Sequence, residues 1–314
     1  VQTTIAKTVT FKGTGLHSGA PVVLSIHPAP ANTGIWFERS DIMADGSGRN
    51  ARIPALWDHV VPSRLCTLIR NDDGVTISTI EHVMAALSGT GVMNARVCVS
   101  GPEVPILDGS SAPFVHSIVA CGLRKLDARV RALEILKPVE ISEQQGDAIA
   151  RARLEPARGL EIDFVIDFAD AAIGHQSKRL NMANGAFVRE LMDCRTFCRK
   201  ADVDAMQANG LALGGTMDNA VVFDGAQVLS PSGLRRADEP VRHKMLDALG
   251  DLALAGLPIL GRYVGERSGH AMTNGLLRAV FADPSATRIV DCDAALLKRL
   301  PGTGLKSADL RLVA

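Results

Sequence analysis

His243 and Asp247 stand four residues apart in Val241-Arg-His-Lys-Met-Leu-Asp-Ala-Leu-Gly-Asp251, and a helix through this stretch sets imidazole and carboxylate one turn apart on one face. That is the spacing at which two side chains can hold one metal ion. At about 100° per residue, Met245, Leu246, Leu249, Leu252 and Ala253 fall on one arc, and His243, Asp247, Gly250 and Asp251 on the opposite one. The apolar arc predicts a core contact, and Gly250 lets another backbone or a ligand approach the polar arc. A His-Asp pair at this spacing also occurs as a solvated pair that supports its helix slightly, so the motif alone leaves both readings standing.

A second stretch, Ser78-Thr-Ile-Glu-His-Val-Met-Ala-Ala-Leu87, opens another predicted helix, with Ser78 or Thr79 as cap and Glu81 placed for a capping box. His82 on its own is as well explained by packing as by function. A weak echo joins the two helices: each histidine is followed by Ala-Leu and a glycine (Ala86-Leu87-x-Gly89; Ala248-Leu249-Gly250). If the chain is a duplication and these helices are its equivalent parts, His82 comes to lie beside His243. His82, His243 and Asp247 would then hold a zinc ion by three ligands and leave its fourth position for water, as in a catalytic site.

The rest of the chain has to position these groups. Its 314 residues suffice for two domains, each with its own core. With 46% hydrophobic and 22% charged residues it reads as a globular protein, and 34 basic against 34 acidic residues argue against nucleic acid as the partner. Six scattered cysteines form no zinc knuckle, and they read as reduced thiols of a cytoplasmic protein. No signal-peptide pattern or membrane-spanning run is present, while contact with a membrane surface or a lipid stays open.

Strand patterns at Thr8–Phe11 and Val22–His27 flank the glycine-rich loop Lys12–Gly19, which contains His17; Ile35–Glu38 follows as a short strand. That loop precedes a strand, so it is no phosphate-binding loop. Asn71-Asp-Asp-Gly74 predicts a hairpin, Asn94–Ser100 a strand, and Phe114–Cys121 a helix closed by Gly122. The charge-rich run Leu123–Arg131 reads as a connector. Beyond it, strands are expected at Arg131–Leu136, Val139–Ser142 and Leu160–Phe168, short strand-like runs at Leu211–Gly215 and Ala220–Asp224, and a last sheet element at Pro258–Val264. Helices are expected at Ala186–Met192, Val203–Asn209 and Asn274–Phe281. The order favours α+β: two similar domains, 1–126 and 127–314, each a mostly antiparallel sheet layered with helices, with the active site at their interface.

Together, Ser78–Leu87, Gly101-Pro-Glu-Val-Pro-Ile-Leu-Asp-Gly-Ser110, Arg195-Thr-Phe197, His243-Lys-Met-Leu-Asp-Ala-Leu-Gly-Asp-Leu252 and Ser268-Gly-His270 closely resemble the UDP-3-O-acyl-N-acetylglucosamine deacetylases, zinc enzymes of lipid A synthesis in Gram-negative bacteria. The likeness spans essentially the whole chain. It implies Zn²⁺ on His82, His243 and Asp247, with Glu81 as general base. It further implies that the Thr196 hydroxyl helps polarise the acetamide carbonyl and that His270, oriented by Asp251, steadies the oxyanion or protonates the amine. Lys244 would meet polar groups of the substrate, and Phe168, Phe197 and Arg267 would line its sugar and nucleotide end. The stretch around 196–215, with Val203, Leu211, Ala212 and Leu213, would form an inserted passage for the fatty-acyl chain. The implied partner is a UDP-linked acylated amino sugar, met by a protein expected to act as a monomer. The chemistry is coherent: amide hydrolysis at neutral pH needs an activated water, a base beside it and positive charge at the developing oxyanion. A zinc hydrolase of another amide and a non-catalytic binding protein are the rival readings, separated by acetate release and by metal content. A serine hydrolase fits less well, since no Gly-x-Ser-x-Gly elbow occurs.

Overall fold

The computed structural model describes residues 1–63 and 65–312. Alternating side chains build the first sheet from β1 (Val9–Thr14), β2 (Pro21–Pro28), β3 (Ile35–Arg39) and β4 (Arg52–Pro54). In β2, Val22, Leu24 and Ile26 turn inward while Val23 and Ser25 do not. The helix α1 (Glu81–Gly89) then leads to β5 (Ala95–Val99) and α2 (Ala112–Cys121). The strand order is β1-β2-β5-β3-β4, antiparallel except for the β3–β5 pair. The predicted hairpin is present as Leu68–Arg70 against Thr76–Ser78.

The second sheet holds β6 (Arg131–Ile135), β7 (Val139–Gln145), β8 (Ala148–Pro156), β9 (Leu160–Asp167) and β10 (His175–Asn181). After α3 (Glu239–Leu252) come β11 (Ile259–Glu266), α4 (His270–Ala282) and β12 (Thr287–Asp291). The fold is therefore mixed α+β, with several sheets layered with helices. β11, expected as the last sheet element, lies at the centre: it pairs antiparallel with β8 and parallel with β6 and β9, and β12, which follows it in the chain, pairs with β6. Glycines suit it to that crowded place, since a Cβ on Gly265 would stand 2.9 Å from the rings of Phe164 and Tyr263.

Three further expectations are corrected. The connector begins with Leu123–Lys125, which pairs with Thr3–Ile5. Leu211–Gly215 is a turn and not strand-like; Ala212 takes φ 54°, and the amides of Leu213 and Gly214 donate to the carbonyls of His17 and Leu16. The helix expected from Val203 runs Lys200–Ala208.

α1 and α3 pack on each other, and α3 also lies on β9, β10 and α4. Val83, Leu87, Met245, Leu246 and Leu249 are buried there, each contributing about 1.5–3 kcal/mol. Twelve of the fourteen residues of α3 are buried, the polar arc included, so the solvated-pair reading fails. That arc faces α1. A Cβ on Gly250 would stand 2.1 Å from the carbonyl oxygen of Glu81 and 3.1 Å from the amide nitrogen of Ala85, so the two backbones touch where only glycine fits.

Candidate active site

The contact of α1 with α3 decides which side chains meet. His82, the second residue of α1, points its Nε2 at Asp247 Oδ1, 3.6 Å away, and His243 Nε2 lies 3.2 Å from the same oxygen. The two imidazole rings are 5.0 Å apart and nearly perpendicular. All three residues are buried, and their candidate ligand atoms lie within 4.8 Å of one another.

His243 Nδ1 is 2.9 Å from the Cys194 carbonyl, which can only accept; Nδ1 carries the proton and Nε2 offers a lone pair. Asp247 Oδ1, although close to both imidazoles, has no hydrogen-bond partner. A buried carboxylate oxygen left unpaired is costly, and here it converges with imidazole nitrogens on one point. Burial alone would push the Asp247 carboxyl up, but His243 and Lys244 outweigh it and hold Asp247 well below the ordinary range. An ionised carboxylate with two imidazoles is a donor set that fits a divalent transition metal.

Around this group stand the acid-base residues. Glu81 opens α1, but the capping box does not form: the cap position is Ile80, without a side-chain cap. Glu81 Oε2 instead accepts from the Thr67 amide at 3.0 Å, and Oε1 lies 3.6 Å from His270 Nε2. Burial raises the Glu81 carboxyl above its ordinary value, opposed by His270 and His82. His270 is the first residue of α4, which starts four positions before the expected Asn274 because Met272 and Thr273 are already packed, Thr273 against the Tyr263 hydroxyl. His270 Nδ1 meets Asp251 Oδ2 at 2.7 Å, and Asp251 Oδ1 accepts from the Thr67 hydroxyl at 2.5 Å. Burial lowers the His270 imidazole, but Asp251 and Glu81 carry it past its ordinary value to about 9.

The other expected residues lie at graded distances. Lys244 Nζ is 3.4 Å from Asp247 Oδ2. Phe197 stands edge-on to His243, ring centres 6.4 Å apart, and packs on Phe168 at 5.6 Å. Thr196 has its backbone fixed between Gly109 and Val221. Arg267 takes φ 50° and pairs with Asp167, not with the histidine group. Val203 is half-buried on a helix that buries none of its residues; Ala212 is buried, while Leu211, Leu213 and Met217 beside it expose apolar surface.

Sequence reasoning missed Thr67, which holds Glu81 with its amide and Asp251 with its hydroxyl, and it missed the Cys194 carbonyl. A lone threonine at a strand entrance carries no pattern, and a carbonyl has no letter. It also missed the ion pair that fixes Cys194: fully buried Arg195 bonds Glu239 through its side chain at 3.0 Å and its amide at 2.9 Å.

A mixed α+β fold with a buried His-His-Asp group that could hold a metal ion, set beside Glu81 and His270 where two long-separated helices meet, is the arrangement a metal-dependent hydrolase requires. Comparison with known proteins makes this particular. The chain belongs to the family described as LpxC, UDP-3-O-acyl N-acetylglycosamine deacetylase, whose model matches residues 2–282. It is 46% identical over 301 residues to the UDP-3-O-acyl-N-acetylglucosamine deacetylase of Anaeromyxobacter dehalogenans, covering 95% of this chain and 94% of that one. It is 48% identical over 288 residues to the enzyme of that name from Phenylobacterium zucineum, covering 92% and 96%. With the enzyme of that name from Shewanella oneidensis it shares 43% over 307 residues, 96% of this chain and 97% of that one.

Proposed function

We propose that this protein removes the acetyl group from the amide nitrogen of UDP-3-O-acyl-N-acetylglucosamine, releasing acetate and committing the amino sugar to lipid A synthesis. The observation that carries the reading is the convergence of His82, His243 and Asp247 around an unpaired carboxylate oxygen. These three would hold Zn²⁺, which when bound lowers the pKa of water to about 7 and polarises a carbonyl as a Lewis acid. We further infer that the chain divides near residue 126 into two similar α+β domains with this site between them.

The chain's own groups account for the proton movements. Thr67 occupies Oε2 of Glu81, so Oε1 is the atom free to take a proton from the attacking water. Asp251 occupies Nδ1 of His270, so Nε2–H faces the reacting centre. As a cation it stabilises negative charge on the former carbonyl oxygen and then gives its proton to the leaving amine. The Thr196 hydroxyl donates to the same oxygen, and Lys244 binds polar groups of the substrate. Phe168, Phe197 and Arg267 line its sugar and nucleotide end. The acyl chain follows the exposed apolar surface of Leu211 and Leu213 past Val203 and Ala212. Among the described residues no helix is long and apolar enough to cross a membrane.

The test is acetate release from the UDP-sugar, with metal content measured alongside. The intact protein is expected to contain one zinc per chain and to release acetate, and Asp247→Ala to lose both. Stoichiometric zinc with turnover only of other amides would replace the substrate, and absence of bound metal would replace the class.

A further inference from the structure

A cavity of about 300 Å³ opens away from the metal-ligand group, at the other end of the same helix pair. Glu81 and His82 stand at the start of α1 and Ser88 near its end; Ser88 and, from α3, Leu249 and Leu252 reach the cavity. At 1.5 Å per residue, seven residues of α1 put it roughly 10 Å from Glu81. Its walls come from both sheets, Trp36 and Arg52 from the first and Arg131 and Ile259 from the second. It is thus a separate space from the acyl surface of Leu211 and Leu213.

Its chemistry is specific. The lining is mainly apolar and includes two arginines and no aspartate or glutamate. The Arg52 guanidinium lies 4.3 Å over the Trp36 ring, which orders it without neutralising it. Among the described residues neither Arg52 nor Arg131 has an acidic partner within 4.0 Å, whereas Arg129, two residues before Arg131, is paired with Asp291. Glu38 and Asp291 stand opposite Arg52 and Arg131 across the strands but are paired with Arg96 and Arg129, which leaves a local excess of guanidinium; an apolar cleft so edged complements a molecule with one apolar tail and one anionic head, and the volume is at the lower end of ligand pockets.

We infer that this cavity binds a medium-chain fatty acid, its tail against the partly exposed Trp36, Leu56 and Leu257 and its carboxylate on Arg52 and Arg131. The inference does not depend on the proposed deacetylation. It is tested by calorimetric titration of the intact metal-loaded protein with laurate below its micelle concentration, in parallel with dodecyl phosphate, dodecyl maltoside and dodecyltrimethylammonium. Laurate is expected to bind, with the neutral and cationic amphiphiles weaker by about tenfold or more. Arg52→Glu with Arg131→Glu should weaken laurate by a similar factor and Ala253→Trp should block it, whereas Leu213→Glu, on the acyl surface, should remove at most a second, arginine-independent component and leave the arginine-dependent one in place. The two arginines are exposed, so their exchange keeps the test valid even if Ala253→Trp misfolds. Equal binding of all four amphiphiles, laurate binding indifferent to the arginine exchange or lost in Leu213→Glu, or a tenfold preference for dodecyl phosphate would each overturn the assignment.

Discussion

Gly250→Ala sets two effects of opposite sign against each other. Inside a helix, alanine is favoured over glycine by about 1 kcal/mol, so propensity alone predicts a more stable protein. The new methyl, however, would lie 2.1 Å from the Glu81 carbonyl oxygen, and the obstacle is backbone that cannot swing aside. Ordinary contact begins more than 1 Å further out, so α1 and α3 must separate by about that much. Overpacking of this kind costs roughly 1–3 kcal/mol and sometimes more, which leaves a net loss of about 0–2 kcal/mol after the propensity gain. In a chain of this size that lowers Tm by at most a few degrees. The larger effect is on the site, because His82 and Asp247 are on the separating helices and a metal tolerates ligand displacements of only about 0.2 Å. The prediction is a metal-free Tm equal to or slightly below the parent's, with zinc affinity reduced at least tenfold in a chelator competition. A raised Tm with unchanged zinc affinity would refute the reasoning about the helix contact.

Glu81→Ala is expected to retain zinc and lose most turnover, since Glu81 is beside the ligand group and outside it; a metal-free protein from this variant would contradict the role of base. The rate should rise with pH as Glu81 loses its proton, through a limb above the ordinary carboxyl range, and fall near pH 9 as His270 loses its own. Because Asp251 is the foremost charge raising His270, Asp251→Asn should move the alkaline limb to lower pH, and an unmoved limb would remove His270 from the role of acid. Arg195→Met strands the buried Glu239 carboxylate and should cost about 3–5 kcal/mol in urea unfolding, whereas the double change with Glu239→Leu should recover much of that loss.

How far the fold and site were legible in the chain follows from what each signal reports. Leu160–Phe168 alternates cleanly because β9 buries one face, and Asn71-Asp-Asp-Gly74 marks its hairpin because the turn demands those residues. The polar arc of α3 was legible as a functional face, and the echo between its histidine and His82 pointed to the helix that covers it. β10, His175-Gln-Ser-Lys-Arg-Leu-Asn181, was not legible, since it pairs on one side only and buries no residue fully. The capping-box pattern at Ser78–Glu81 misled because a local rule was overridden by a distant partner, the Thr67 amide, that takes the carboxylate. Likewise the clamp of Thr67 on Asp251 spans 184 positions, and no local pattern encodes it.

One consequence of dividing the donor set between two helices, His82 on α1 and His243 with Asp247 on α3, concerns the birth of the molecule. His82 leaves the ribosome about 165 residues ahead of Asp247, which at roughly 5–20 residues per second means a wait on the order of ten to thirty seconds. Over that interval the nascent chain carries His82 and the rest of α1 without the helix that covers them in the folded protein. A metal ion held by all three side chains would find its full seat only once α3 has been translated, which would make metal capture a late event in the life of each new copy.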